Sequence, residues 1–282
     1  MLRKSLRASK LALSAAALSV VALSATMAVQ AQDGPDARPP LLLMGTVPIF
    51  WGEAEDLTDL VRGAASTHWA RPVLERRFQL QPLDTLTSDQ LARHRFLLMA
   101  QPRTLSAGEN IALNGWVRAG GHVLLLADPM MTGDSRFAIG DRRRPQDVAL
   151  LSPILTHWGL DLQFDDTALP GVVSQDAGIT AIPVNLPGRL VLREGGSCEV
   201  LGEGIAARCA LGRGMALVLA DAALVDHAGP YPGAEAGLTA LIDSIFSGNG
   251  EIAGGAARQA ENAAIPGLSS PQSRAKRGSA SP

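Results

Sequence analysis

A chain of 282 residues with 46% hydrophobic side chains is long enough to bury a sizeable core and too apolar to be disordered throughout. Its 25 Lys and Arg stand against 27 Asp and Glu, and this near-neutral, acid-leaning balance argues against nucleic acid or an anionic membrane surface as the main partner. Only three lysines occur, Lys4, Lys10 and Lys276, so the body of the chain has none for Schiff-base or P-loop chemistry.

Arg3, Lys4, Arg7 and Lys10 form a basic stretch ahead of the apolar run from Leu11 to Met27, and Val29-Gln30-Ala31 offers small residues for cleavage. Residues 1–31 therefore read as a signal peptide and the protein as periplasmic. An uncleaved signal anchor is the alternative, because the apolar run is nearly long enough to span a bilayer. Cleavage removes four basic residues, taking Lys and Arg from 25 to 21 against 27 acids and the mature charge to −6. Residues 32–40 read as a linker, 41–248 as a single α/β domain, and the Gly-, Ala-, Ser- and Pro-rich 249–282 as a disordered tail with no further membrane span.

Leu41 to Thr46 is an apolar run ending in a turn and predicts the first strand. A helical region follows, broken near Gly63 and resumed over Trp69 to Arg77, then a second strand over Phe78 to Leu83. Thr87-Ser88-Asp89-Gln90 has the form of a capping box and opens a short helix. Phe96 to Ala100 predicts the third strand. Ser106-Ala107-Gly108-Glu109 is a second capping box, whose helix carries Leu113, Trp116 and Val117 on one face and stops at Gly120-Gly121. His122 to Ala127 follows as a run apolar on both faces, ending in Asp128; Met215 to Ala220 repeats that pattern and ends in Asp221. Such runs suit buried parallel strands covered by helices.

Leu151, Ile154, Leu155 and Trp158 recur at helical spacing and are closed by Gly159. Between 160 and 211, short segments (Leu160–Phe164, Ile179–Val184, Leu190–Arg193) are separated by Gly and Pro and predict antiparallel additions at a sheet edge. Leu238, Leu241, Ile242 and Ile245 mark the last amphipathic helix. Strands alternating with helices predict a three-layer α/β/α sandwich around a mostly parallel sheet.

In such a sheet the loops at the strand carboxyl ends share one rim, where ligands bind. The candidate ligand-binding residues are accordingly Thr46, Trp51 and Glu53 after the first strand, Asp128, Asp141, Arg143 and Arg144 after the fourth, and Asp221 after the last. Gln101, Pro102 and Arg103, and Asp226 with His227, complete the rim. The arginine run Arg142 to Arg144 beside Asp141 and Asp147 suits a carboxylate or phosphate, or equally a salt-bridged surface loop. Asp128 and Asp221 either orient a ligand or cap helices. Trp51 either stacks on a ligand or covers a helix. Cys198 and Cys209 predict a disulfide in an oxidising compartment, with two separate buried thiols as the alternative. No G-x-S-x-G elbow, Walker motif or GxGxxG after a strand is present, and neither His nor Cys has metal-ligand spacing, so no catalytic residue, metal or cofactor is assigned.

Taken together, Gly120-Gly121-His122 through Pro129, the helix ending in Trp158-Gly159-Leu160, and the Gly212-Arg213-Gly214 strand ending in Asp221 resemble the exported domain of the "ABC-type uncharacterized transport system" family, to which gliding-motility auxiliary proteins belong. The resemblance covers about Leu41 to Phe246. It implies a flavodoxin-like sheet akin to class I glutamine amidotransferases, and a non-catalytic accessory whose partners are an ABC permease or other envelope proteins. The amidotransferase nucleophilic Cys stands at no strand–helix elbow here. The competing expectation is a periplasmic hydrolase or carbohydrate-active enzyme using the rim carboxylates Asp128, Asp141 or Asp221.

Overall fold

The computed structural model describes residues 38–53 and 67–246. The signal peptide, the break near Gly63 and the tail beyond 248 lie outside the described residues. Eleven strands and five α-helices are described in these segments.

Seven strands form one sheet in the order β2-β1-β3-β4-β11-β10-β9. Its parallel core comprises β2 (Gln79–Pro82), β1 (Pro40–Gly45), β3 (Phe96–Ala100), β4 (His122–Leu126) and β11 (Gly214–Leu219). β10 (Ala206–Leu211) runs antiparallel to β11, and β9 (Cys198–Leu201) antiparallel to β10. All five residues of β4 are buried, as a central strand covered on both faces requires.

The side-chain period of two sorts these strands into two cores. Leu41, Leu43, Leu98, Leu124, Leu126, Leu217 and Leu219 face α1 (Ala70–Glu75) and α5 (Ala234–Phe246). Leu42, Met44, Leu97, Met99, Val123, Leu125 and Val218 face α2 (Ser88–Leu91), α3 (Ala107–Arg118) and α4 (Ser152–Trp158). Helices therefore cover both faces of the sheet.

The helix ends follow the local chemistry. Ser106 accepts from the Glu109 amide while the Glu109 carboxylate accepts from the Ser106 amide, completing the capping box at α3; such a cap contributes about 1 kcal/mol. Arg103 adds two hydrogen bonds to Glu109, at 2.7 and 3.1 Å, and this pairing holds the Glu109 carboxyl down at about 2. Thr87 caps α2 by accepting from the Gln90 amide. Gly159 closes α4 at φ 85, a left-handed conformation that a side chain would strain.

The 160–211 region departs from the expected edge additions. Only β9 and β10 extend the main sheet. β5 (Leu160–Gln163) pairs with β8 (Arg189–Leu192), and β6 (Val173–Asp176), which the sequence pattern does not mark, pairs with β7 (Ala181–Val184). These are two separate antiparallel ribbons. Burial explains the split: Leu160 and Leu190 belong to one core, Ile182 and Val184 to the other, so the ribbons cover the two faces instead of lengthening the sheet. Cys198 and Cys209 sit directly opposite in the β9–β10 register and are joined by a disulfide.

Candidate functional site

Parallel pairing of Leu219 with Leu126 brings the ends of β4 and β11 level, so Asp128 and Asp221 arrive at the same edge. The Ala222 amide donates to Asp128 Oδ2 at 3.0 Å, tying one strand end to the other. Met130 donates to Asp128 Oδ1 at 2.8 Å. Asp221 accepts from the Ala223 amide at 2.6 Å and from the Asn185 amide, just past β7, at 2.9 Å. Neither caps a helix, since each accepts from loop amides instead. Both are closed off from solvent, at 0% and 1% exposure, so neither acidic tip is presented at the surface. Burial pushes Asp128 up to about 7, against the pull of its two amide donors. Asp221 is raised well above the usual carboxylate range, first by burial and then by the neighbouring Asp128.

Gln101 binds this acidic core to the rest of the rim. Its side chain accepts from the Asp128 amide at 2.9 Å and donates to the carbonyls of Asp128 and Gln146 at 3.0 and 2.9 Å. Its own carbonyl accepts from the Thr46 hydroxyl at 2.6 Å. The residue is fully buried and holds φ 47, a left-handed conformation costing a non-glycine residue about 1–3 kcal/mol. The sequence marks Gln101 only as the residue after an apolar strand. Its role depends on contacts 27 and 45 residues away, which no local pattern reveals. Thr46 is likewise engaged, accepting from the Gln146 amide at 2.9 Å. Gly45 allows β1 to meet β3 so closely that a Cβ there would lie 2.0 Å from the Ala100 carbonyl oxygen.

Glu53 also proves to be a clamp. It accepts from the Ser135 hydroxyl at 2.7 Å and the Arg136 amide at 3.0 Å, fixing the first loop to the loop after β4. His68 donates from Nε2 to the Val225 carbonyl and accepts at Nδ1 from the Ala70 amide at the start of α1; burial lowers it to about 4 and keeps it neutral.

The rim is open at its other end. A cleft of about 510 Å³ lies over the ends of β1 and β2, lined by Thr46, Phe50, Trp51, Asp84, Phe137 and Arg143 among others. Trp51 is 57% exposed and meets Phe50 edge to face at 4.7 Å. The Arg143 guanidinium lies 4.1 Å over the Phe137 ring and pairs with Asp141. Arg144 donates to the Phe137 carbonyl and pairs with Asp147. The arginine run is therefore largely a salt-bridged loop, and of its members only Arg143 lines the cleft. Asp141 is engaged by Arg143 and takes no part in the Asp128–Asp221 cluster. Asp226, expected on the rim with His227, joins that buried cluster as its third acid. Among the described residues no group of His, Cys, Asp and Glu is arranged to hold a metal ion, and no helix is long and apolar enough to cross a membrane.

No family model matches the chain, and no curated protein sequence does. Among solved structures the chain is similar to an exo-beta-1,4-mannosidase from Opitutaceae bacterium strain TAV5, at 15% identity and a TM-score of 0.44 over 73% of this chain and 36% of that one. A beta-galactosidase from Bacillus circulans sp. alkalophilus is similar at 11% identity and 0.42, over 74% and 32%. A cytoplasmic protein from Salmonella typhimurium LT2 is similar at 10% identity and 0.41, over 73% and 99%. The chain spans about a third of the length of each of these glycosidases.

Proposed function

We propose that this chain is a non-catalytic, exported binding or scaffold domain serving an ABC-type transport system, and that it meets its partner through the Trp51 cleft. The observation that carries this reading is the division of the rim. A general acid or base must come within hydrogen-bond reach of its substrate, whereas Asp128 and Asp221 are buried and engaged by backbone amides. The cleft over β1 and β2 carries three aromatic rings and one guanidinium, residue types enriched where proteins meet their partners. Counting β11 as the fifth parallel strand gives the order 2-1-3-4-5, which supports the finer assignment to a flavodoxin-like, class I glutamine amidotransferase-like sandwich. The resemblance in Gly120 to Pro129 and Gly212 to Asp221 supports the transporter association.

Affinity capture of the tagged, exported protein from its own envelope tests the reading. Recovery of permease subunits, lost on Trp51→Ala, is the expected result. A lone monomer with hydrolytic turnover would overturn it in favour of the carboxylate-enzyme reading. Amino-terminal sequencing of the envelope form should begin at Gln32; a chain starting at Met1 would establish the uncleaved anchor instead.

A further inference from the structure

Asp226 is the one carboxylate in the acidic cluster that the surrounding backbone leaves unsatisfied. The residue is 9% exposed, and neither of its oxygens has a hydrogen-bond partner, although Asp128 and Asp221 each accept two. A buried carboxylate without partners is costly in its charged form, whereas the protonated acid is tolerated. What seals it is the start of the long loop after β4. The Gly133 backbone lies directly on Asp226: a Cβ there would stand 2.4 Å from the Asp226 carbonyl oxygen and 2.9 Å from its carboxyl carbon. The Gly133 amide is close enough to favour the ionised form but not in hydrogen-bonding geometry.

The segment on top is held at both ends and not in the middle. Met131 donates to the Asp147 carbonyl at 2.8 Å, and Ser135 and Arg136 are clamped by Glu53. Beside it lies a cavity of about 250 Å³ whose lining includes Glu53, His68, Asp134, Arg136, Asp226 and His227.

We propose that Asp226 and the Met131–Arg136 segment form a proton-controlled latch. With the Asp226 carboxyl protonated the segment stays seated; with the carboxylate ionised it lifts more often, each lifting briefly opening the acidic cluster into the adjoining cavity. The charges around Asp226 reinforce this direction. Asp134 on the segment, Asp128 at the end of β4 and Asp221 at the end of β11 all oppose its ionisation or have theirs opposed by it. Tyr231, on the loop before α5, is raised by burial and by the charges of Asp226 and Asp134, so it stays a neutral phenol. His68 is neutral and turned to Val225 and Ala70. Arg136 shares the cavity but donates to the Glu53 carbonyl, and Glu53 and His227 complete its charged or titratable lining. Burial holds Asp226 up at about 6, which places the change in the mildly acidic range.

Hydrogen exchange of the full exported chain at pH 5 and pH 8, corrected for intrinsic rates, tests the latch. Amides of residues 131–136 should lose protection by roughly 10-fold between the two, the ratio expected over this pH range if the carboxyl titrates near 3.9 when open and near 6 when seated. Asp226→Asn, a neutral isostere, should keep them protected at both pH values, and Asp128→Asn should retain the wild-type drop. Equal corrected protection in the wild type at the two pH values overturns the proposal, as does an undiminished drop in Asp226→Asn. The wild-type comparison alone decides the matter if Asp226→Asn does not fold.

Discussion

The two ends of one rim follow opposite rules. Over β3, β4 and β11 Gln101, Asp128 and Asp221 are knitted into neighbouring backbone: Gln101 grips Asp128, Asp128 grips Ala222, and Asp221 grips Asn185. Over β1 and β2 the rim carries an exposed Trp51 beside Arg143 stacked on Phe137, in an open cleft. Acidic residues at strand ends thus hold loops together in this molecule, and the surface free to meet another molecule is aromatic. A position on a rim is not enough to make a residue functional; its hydrogen-bond partners decide.

The comparison breaks most readily at Asp128. Replacing it with Ala orphans the amides of Met130 and Ala222 and should destabilise by about 2–5 kcal/mol in urea unfolding. A loss below 1 kcal/mol would mean that the closed end is not held as described. Gln101→Ala removes three side-chain hydrogen bonds while keeping the strained φ, and should cost about 2–4 kcal/mol by the same measurement.

The pH dependence sharpens the contrast. Asp128 is raised in the folded state, to about 7, so the fold binds its proton more tightly than the unfolded chain does. Its contribution is full below about pH 4 and lost as pH rises towards 7. His68, lowered to about 4, acts in the opposite sense, and its stability is lost as pH falls from about 6.5 towards 4. Measuring wild type against Asp128→Asn cancels the histidine: the wild type should lose ground to the variant steadily between pH 4 and 7. A constant difference across that range would contradict the buried, raised carboxyl. The smallest effect belongs to the open end, where Trp51→Ala should leave stability within about 0.5 kcal/mol, as expected for an exposed side chain with little packing to lose.

Local signals made much of this fold legible. Runs apolar on both faces mark β1, β3, β4 and β11, the Ser106–Glu109 spacing marks the cap of α3, and the Asp128 and Asp221 tips do share an edge. The two paired cysteines are likewise where a short hairpin would join them. What stayed hidden depends on distant chain. The burial of Asp128 arises because Gln101, Ala222 and the Met130 loop converge on it, and the same residue types at an open strand end would read identically. β6 escapes because three of its four residues are exposed and it lacks an apolar stripe. The arginine run reads equally as an anion site or a salt-bridged loop until the pairing of Arg143 with Asp141 and of Arg144 with Asp147 is seen.

Photo-crosslinking in the native envelope tests most directly which end of the rim does the work. A photoreactive residue in place of Trp51 should capture a membrane-embedded permease subunit, while one in place of Ile111, 73% exposed on α3, should not. Capture at neither position, together with glycoside hydrolysis by the purified protein that Asp128→Asn abolishes, would contradict the account.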